Sequence, residues 1–549
     1  MVISVLVIAV LIGRAAYLQI YQGEYYKALA DGNRIRIVPS MAPRGTFYDR
    51  NGQLLVTNRP GFSVSLLPLT APISDDVIAR LSDLLKVPTD EIKQKIAGHS
   101  GFNPIRIKTD VTPDIVSIIE EQKSQYPGVV IEVTPIRDYI LKQEGAHTFG
   151  YVSEINDAEL EKMKDEGYKS GDIIGKFGLE KVYDKELRGE NGGQQVGVDV
   201  SGKPVQILGR KEPVPGDDLE LTIDINLQQA AEKAVDEQLT QIGAHAAAAV
   251  VMNPQTGEIL AMVSRPAFDP NLFAHGISSK DWNQLNNNPY HPMDNKTITG
   301  EYPRGSTFKI VTPEEQIFDS GHHWLIPKGN ADGEALGWLN FRSALAHSDN
   351  VYFYEMGNRL GIDRLEKYAR MFGLGQKTGV DLPYEASGLV ANRRYKEKNF
   401  DDGEWYLSET FDAAIGQGFN LVTPLQAAMV MGEIAADGKR YKPHVVNRII
   451  APDGSVVKDF QPDIKLIQDG LHDVTKYGTA ASSFRGFTVD IAGKTGTAEN
   501  SQGRDHGWFV AYGPFDNPNI VVAVIVENGG YGSQSAVPIG RKILEAAFG

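Results

Sequence analysis

Three short segments, Ser306-Thr307-Phe308-Lys309, Ser348-Asp349-Asn350 and Lys494-Thr495-Gly496-Thr497, follow one another along this chain. They spell the patterns S-x-x-K, S-x-N and K-T-G, which in this order mark one class of serine enzymes that form acyl intermediates. Each pattern alone is common on a helix face, in a turn or at the end of a hairpin. The ordered triple is uncommon by chance, so it predicts a single active site assembled from distant parts of the chain.

The residue types explain how such a site would work. Ser306 and Lys309 are three residues apart, so on a helix they share one face. A serine hydroxyl needs a base to become a nucleophile, and lysine serves as one only when burial or a neighbouring cation lowers its pKa. Ser348 would supply a second hydroxyl for proton relay, and Asn350 an amide to orient Lys309. We therefore predict that these four residues are catalytic.

The third segment ends a stretch that reads as a strand. An edge strand here could pair with an extended peptide through its main chain. Lys494, with the hydroxyls of Thr495 and Thr497, is suited to bind a substrate carboxylate. Gly496 would leave room for the acyl chain. Lys494 completes the predicted catalytic set, and Thr495, Gly496 and Thr497 are predicted to bind substrate.

Composition limits the function classes. The chain has 549 residues, enough for two or three domains, and a net charge of −15. Nucleic-acid binding relies on clustered cations, so we expect no nucleic-acid partner. The sequence contains no cysteine, which excludes disulfides, thiolate metal sites and cysteine nucleophiles. We expect no cofactor.

The first residues are apolar up to Arg14. Extended to about residue 22, this stretch reaches the roughly 20 residues that a membrane-spanning helix needs. The basic flank and cleavage site of a signal peptide are missing. We therefore predict an uncleaved anchor over residues 1–22, with a short cytoplasmic tail that precedes this sequence. A buried amphipathic helix is the alternative.

The rest of the chain divides at a composition change near residue 215. Residues 23–215 mix short strands with amphipathic helices and are predicted to form an extended α/β module, called the pedestal below. Residues 216–549 contain two strands early, three strands late and helices between them. This order predicts an α+β domain in which helices enclose one antiparallel sheet. A final helix is predicted over residues 539–548, with no further module after it.

With these motifs in place, the chain resembles the class B penicillin-binding proteins over nearly its whole length. The nucleophile region 300–309 and the segment 414–426 resemble that family's catalytic domain. Segments 44–52 and 178–189 resemble its pedestal motifs, which free-standing β-lactamases lack. The segment 33–39 and the abrupt C-terminus favour the elongation type over the septal type.

The resemblance implies D,D-transpeptidation of peptidoglycan stem peptides and inhibition by β-lactams. Ser306 would attack the penultimate D-Ala carbonyl, Lys309 would act as base, and the N–H groups of Ser306 and Thr497 would form the oxyanion hole. The implied partners are a SEDS-type glycosyltransferase and other rod-complex proteins. The implied location is the bacterial inner membrane, which the chain would cross once, with the catalytic domain on the extracytoplasmic side.

Two features depart from the family pattern. Pro313 lies four residues after Lys309 and would remove a helix hydrogen bond, so we infer that residues are missing between Thr312 and Pro313. Arg304 stands where a small residue or proline is usual. Five residues between the first two motifs are candidate zinc ligands, but their spacing is irregular, so no metal site is predicted. Those candidates are Asp319, His322, His323, Asp332 and His347.

Two rival functions remain open. A D,D-carboxypeptidase or β-lactamase would pass the acyl group to water rather than to an amine. A membrane-anchored scaffold would activate a glycosyltransferase through the pedestal without needing its own chemistry. A chain whose helix ended at Pro313 would favour the scaffold.

Overall fold

The structure is a computed structural model, and it describes most of the chain. The described residues are 13–22, 35–67, 73–97, 104–198, 204–311, 316–331, 333–459, 479–501 and 503–548. Most of the predicted anchor therefore lies outside the described residues; its described end carries a π-helical turn, Tyr17–Tyr21. Within the described ranges, no helix combines the length and the apolar character needed to span a membrane. Pro313 and Asp332 also lie outside the described residues.

The pedestal mixes strands with helices, as predicted, but two of its strands are longer than expected, with 13 and 11 residues. Its strands are β1 Ile35–Ser40, β2 Phe47–Tyr48, β3 Leu54–Leu66, β4 Ile105–Val111, β5 Val129–Tyr139, β6 Val152–Glu154, β7 Ile173–Gly175, β8 Gly192–Val198 and β9 Pro204–Lys211. Its α-helices are α1 Asp75–Leu85, α2 Thr89–Ala97, α3 Pro113–Glu121, α4 Ala146–Phe149, α5 Asp157–Lys162, α6 Gly178–Val182 and α7 Asp184–Leu187. Short 3₁₀ turns add Lys123–Gln125 and Lys164–Glu166.

The second part of the chain carries the longer helices. Its strands are β10 Asp218–Leu221, β11 Ala246–Met252, β12 Ile259–Arg265, β13 Tyr302–Pro303, β14 Ile317–Asp319, β15 Gly337–Leu339, β16 Leu421–Val422, β17 Val446–Ile450, β18 Val456–Asp459, β19 Ala492–Ala498, β20 His506–Gly513 and β21 Ile520–Glu527. Its α-helices are α8 Ile225–Ile242, α9 Asn271–Ala274, α10 Ser279–Asn286, α11 Phe341–His347, α12 Asn350–Leu360, α13 Ile362–Met371, α14 Arg393–Asn399, α15 Leu407–Ala414, α16 Pro424–Ala435, α17 Ala481–Phe484 and α18 Gly532–Phe548. A 3₁₀ helix spans Gly305–Val311.

A five-stranded antiparallel sheet forms the centre of this domain, in the order β12-β11-β21-β20-β19. Every residue of β11 is buried, and β21 is buried up to its last residue. Such continuous apolar strands need cover on both faces. The prediction of one antiparallel sheet built from both ends of the domain is confirmed.

Helices provide that cover. α18 packs on β20 and β21, with α8 against it, and α16 packs on β21 and β11. Gly540 of α18 lies against Phe509, and Gly432 of α16 lies against Met252. Phe509 pairs with Val524 while Met252 pairs with Val521, three residues away on the same strand, so the two contacts lie on opposite faces of the sheet. The predicted enclosure by helices is confirmed, although α18 begins earlier than expected.

A second sheet joins the two parts of the chain. It runs β18-β17-β10-β2-β3-β4, with β5 also paired to β3. The strands β2 to β5 come from the pedestal, and β10, β17 and β18 come from the second domain. β10 pairs in parallel with β2 through Leu219 and Phe47. The boundary near residue 215 remains a prediction, and this sheet crosses it.

Candidate active site

The first motif lies on the 3₁₀ helix Gly305–Val311, which reaches the end of a described range. Gly305 adopts a left-handed backbone with φ +54°, and a Cβ there would lie 2.5 Å from the Thr497 carbonyl oxygen. Its N–H donates to the Gly416 carbonyl oxygen at 2.9 Å. Only glycine fits this position, because it holds the nucleophile turn against both β19 and the segment after α15.

The second motif forms the junction between α11 and α12. Ser348 has φ +56° and ends α11, and Asp349 caps α12 by accepting the Tyr352 N–H at 2.6 Å. Asn350 is the first residue of α12. This sharp change of direction turns the Ser348 carbonyl and hydroxyl toward Lys309, which donates to them at 2.7 Å and 3.3 Å.

The third motif occupies β19, the edge strand of the five-stranded sheet, as predicted. The carbonyl oxygen of Thr497 accepts the Gln417 side-chain N–H at 3.4 Å, so it points away from β20. In an antiparallel strand, the N–H of a residue points to the same side as its carbonyl. The Thr497 N–H therefore faces the open edge, beside the nucleophile turn.

Gly496 does not open onto empty space. A Cβ at this position would meet the Thr307 methyl at 2.9 Å and the Arg304 carbonyl oxygen at 3.1 Å. The glycine therefore lets β19 approach the nucleophile turn closely. Its predicted role in making room for the acyl chain remains a prediction.

Two buried lysine amines meet at Ser348. Lys309 Nζ also donates to Asn350 Oδ1 at 2.6 Å, and Lys494 Nζ donates to Ser348 Oγ at 3.0 Å. Burial, strengthened by the charge of Lys494, lowers the pKa of Lys309 well below its usual value. Burial alone lowers the pKa of Lys494 to about 7. Both shifts favour the neutral amine, which is the form that can accept a proton.

A cavity of about 780 Å³ opens over these groups. Ser306 lines it and is half-buried, whereas Lys309 and Lys494 are fully buried behind its wall. Among the described residues, Lys309 donates to Ser348 and Asn350 and makes no hydrogen bond with Ser306. The structure thus brings all eight predicted site residues together around this cavity. Besides Ser306, five of the predicted site residues line the cavity: Ser348, Asn350, Thr495, Gly496 and Thr497.

Several site residues lay outside the sequence prediction. The Asn330 amide accepts the Asn350 N–H at 2.7 Å and donates to Asp349 at 2.8 Å, so it positions the second motif. The Thr479 hydroxyl lies 2.5 Å from the Thr495 hydroxyl. Both residues lie in irregular segments without a recognisable pattern, and their roles come only from long-range folding.

Two of the candidate metal ligands, Asp319 and His323, have other partners. Asp319 accepts the N–H groups of Gly321 and Leu336, each at 2.7 Å. His323 pairs with Glu355 at 3.1 Å. Across the described residues, no three His, Asp or Glu side chains are grouped so that they could hold a metal ion.

Arg304 is the unusual residue of this site. Its side chain is fully buried, and within the described part of the chain none of its guanidinium nitrogens has a hydrogen-bond partner. Burial lowers the pKa of Arg304 to about 9. An unpaired buried cation is unfavourable, so this residue lowers the stability of the folded state.

Two family models match the chain. The penicillin binding protein transpeptidase domain matches residues 247–545, and the penicillin-binding protein dimerisation domain matches residues 39–221. The chain is 36% identical to the peptidoglycan D,D-transpeptidase MrdA of Acinetobacter baumannii, over 97% of this chain and 84% of that protein. These matches confirm the resemblance drawn from the motifs.

Comparison with solved structures points to the same family. Penicillin-binding protein 2 of Helicobacter pylori, solved in complex with MreC, has a TM-score of 0.79 at 26% identity, covering 94% of this chain and all of that one. A chain from a peptidoglycan synthase complex that coordinates polymerization and crosslinking has a TM-score of 0.72 at 30% identity, covering 99% of this chain and 97% of that one. The chain therefore belongs to the class B penicillin-binding proteins, which join a dimerisation domain to a transpeptidase domain, and its relatives include penicillin-binding protein 2.

Proposed function

We propose that this chain is a peptidoglycan D,D-transpeptidase that cross-links stem peptides during cell-wall elongation and is inhibited by β-lactams. The observation that carries the proposal is the convergence of three distant motifs on one cavity, with Ser306 in its wall and two buried lysines behind it. The relative named MrdA, a peptidoglycan D,D-transpeptidase, supports the same reaction.

Acylation begins when Ser306 Oγ attacks the carbonyl of the penultimate D-Ala. Neutral Lys309 takes the hydroxyl proton, once substrate binding brings the two side chains into hydrogen-bond contact. Ser348, which contacts both lysine amines, passes a proton to the departing terminal D-Ala. The products are an acyl-enzyme on Ser306 and free D-Ala.

The oxyanion of the tetrahedral intermediate is stabilised by main-chain donors. The Thr497 N–H faces the open edge of β19, and Gly305 packs directly against the Thr497 carbonyl. The Ser306 N–H provides the second donor beside it. Such fixed donors act where charge develops, so they stabilise the transition state more than the bound substrate.

The acyl-enzyme is then resolved by the amine of a second stem peptide. The cavity of about 780 Å³ leaves space for a peptide along the edge of β19. In a hydrolase, water would take the acyl group instead. A penicillin adduct that persists separates this transpeptidase from a β-lactamase, which releases the opened drug quickly.

The test is covalent labelling with a fluorescent penicillin followed by peptide mapping. We expect a stable adduct on Ser306 that is lost in Ser306→Ala. Ser455→Ala, which removes an exposed hydroxyl in the β17–β18 turn, is the matched control and should label like the unaltered protein. Absence of labelling in the folded unaltered protein would overturn the assignment.

We further propose that the chain works within a membrane complex. The Helicobacter pylori relative was solved with MreC, and another relative was solved in a peptidoglycan synthase complex. By analogy, the pedestal of this chain would contact a SEDS-type glycosyltransferase and rod-complex proteins. Residues 1–22 would anchor it in the inner membrane, with the catalytic domain on the extracytoplasmic side.

A scaffolding role is therefore the second candidate function, and it is compatible with catalysis. Glycan polymerisation by the partner glycosyltransferase should be stimulated equally by the unaltered protein and by Ser306→Ala. If the serine variant failed to stimulate although it folds and binds, activation would depend on the acyl-enzyme and the independent scaffold would be excluded.

A further inference from the structure

The wall of the active-site cavity carries an excess of negative charge. Five acidic side chains line the cavity, against one lysine and one histidine. The lysine, Lys328, is paired with one of the five, Asp412. Three others, Glu334, Glu499 and Asp505, form no ion pair within the described part of the chain. The two motif lysines behind the wall disfavour each other's protonation, so they do not balance these carboxylates, and a cation is favoured in front of them.

Tyr354 brings an unused hydroxyl to the same wall. The residue lies on α12, one helical turn after Asn350, and 4% of its surface is exposed. Its ring packs against those of Phe411 and His323, with centroids 6.0 Å and 6.3 Å away. No described group hydrogen-bonds to the hydroxyl, and its oxygen is not sealed from solvent. Because Tyr354 lines the cavity, this hydroxyl opens into it and is available to a ligand.

Two of the carboxylates lie near this hydroxyl. The pKa of Tyr354 is raised to about 12, chiefly by burial and in addition by the negative charges of Asp412 and Glu499. Charges act on a group in this way only over a short range, so the three side chains face one part of the cavity. The hydroxyl stays protonated near neutral pH, and its oxygen can accept a hydrogen bond from a cation that the carboxylates attract.

The direction of a peptide along β19 relates this part of the cavity to the substrate. Lys494 and Thr495, early in the third motif, are predicted to bind the terminal carboxylate, and the Thr497 N–H would meet the attacked carbonyl. The peptide that precedes this carbonyl then runs toward Glu499, directly after the end of β19. An extended chain advances about 3.3 Å per residue, so the residue before the penultimate D-Ala would lie beside Glu499.

We propose, on the basis of the transpeptidase function, that Tyr354, Asp412 and Glu499 form a subsite for the side-chain ammonium of the donor-peptide residue that precedes the penultimate D-Ala. An amine of a second stem peptide resolves the acyl-enzyme, and donor and acceptor are peptides of the same kind, so the donor carries such an amine as well. A lysine-type amine is protonated near neutral pH and has three donors. It would donate to the Tyr354 hydroxyl and to the Glu499 carboxylate.

The test uses two penicillins that differ only at the end of the side chain. One carries an ε-aminocaproyl group, which is a lysyl residue without its α-amino group, and the other carries the same group with its amine acetylated. Ser306 attacks the β-lactam carbonyl, so this side chain stands where the preceding peptide residue would stand. Competition with fluorescent penicillin measures the second-order rate constant of acylation. We expect the ammonium compound to react about tenfold faster, because it makes a charge-assisted hydrogen bond.

Two variants locate the subsite. Tyr354→Phe and Glu499→Gln should each lower the preference for the ammonium compound about threefold or more. The acetylated compound should keep its rate, which shows that the variants are folded and reactive. Glu397→Gln, at an exposed glutamate of α14 that does not line the cavity, is the matched control and should keep the full preference.

The subsite is overturned if the unaltered protein reacts equally fast with both penicillins. It is also overturned if both variants keep the preference, or if they slow the two compounds alike, since that would indicate a structural role. Absence of any labelling by fluorescent penicillin has a different meaning, because it contradicts the transpeptidase function itself, and the subsite would fall with it.

Discussion

Ser348 Oγ lies between two buried amines, 3.3 Å from Lys309 Nζ and 3.0 Å from Lys494 Nζ. Because two ammonium groups at such separations repel each other, protonation of one lysine disfavours protonation of the other. We therefore expect Lys309 to be the neutral base and Lys494 to hold the proton below about pH 7. Lys494 contacts Ser348 and is fully buried, and its part in catalysis and in attracting a substrate carboxylate remains a prediction.

This division predicts the pH dependence of acylation. The pKa of Lys494 is about 7, so its proton is present below that pH and is lost above it. We expect the rate of acylation by penicillin to fall about tenfold per pH unit above about pH 7, because the charge that holds Ser348 and attracts the carboxylate disappears. Lys494→Ala should be about 100-fold slower and should lack this decline. Stopped-flow labelling measures both, and parallel pH profiles for the two proteins would contradict the assignment.

Arg304 leads to a prediction about stability. Its unpaired guanidinium is buried, so replacing it with an apolar side chain of similar length removes an unfavourable charge. We expect Arg304→Met to raise the free energy of unfolding by about 1 to 3 kcal/mol. Arg393→Met, at a half-exposed arginine paired with Asp363, should change it by less than about 0.5 kcal/mol. Urea denaturation measures both changes.

The lowered pKa of Arg304, about 9, determines whether the stability of the native protein rises or falls as the pH increases. Below that pH the side chain is charged in both the folded and the unfolded state, so the full burial penalty is present. As the pH rises through about 9, the folded state loses the proton before the unfolded state does, and the native protein gains stability. The advantage of Arg304→Met should therefore shrink in alkaline solution; an advantage that grew with pH would contradict this account.

At the scale of elements, the site depends on the close approach of three backbone segments to one another. The nucleophile turn lies between β19 and the segment after α15, and glycines stand on both sides of the contact. A Cβ on Gly416 would lie 2.3 Å from the Gly305 carbonyl oxygen, and a Cβ on Gly305 would lie 2.5 Å from that of Thr497. Neither backbone atom can move without shifting the main-chain donors of the proposed oxyanion hole.

Gly305→Ala should therefore reduce penicillin acylation by about tenfold or more, because the turn must shift away from β19. Gly454→Ala is the matched control, since Gly454 also has a positive φ, of +85°, but open space around it. That variant should lose only about 1 kcal/mol of stability and label normally. Equal labelling by the two variants would show that the close approach is unimportant.

At the scale of the whole molecule, the sequence predicted what local patterns determine. The motif residues, the hairpin of β11 and β12 and the three late strands follow from spacing and from apolar runs. The left-handed Ser348, the role of Asn330 and the pairing of Leu219 with Phe47 do not, because each depends on segments far apart in the chain. Local patterns also placed the domain boundary near residue 215 and gave no sign that one sheet crosses it.

That shared sheet predicts how the molecule unfolds. β10 lies between β17 and β2, and its Leu219 and Leu221 are fully buried. A fragment of residues 216–549 would lose β2 and leave β10 as an exposed edge, which favours aggregation and destabilises the domain.

We expect the full chain to melt in one cooperative transition in calorimetry, and the fragment 216–549 to melt about 10 °C lower or more, from the lost burial of two leucines. A chain that begins at Met41 is the matched control, because it removes β1 but keeps β2 and its pairing with β10. It should retain most of the melting temperature of the full chain. Two resolved transitions in the full chain, or a fragment as stable as this control, would mean that the two domains are stabilised independently and that the shared sheet only sets their orientation.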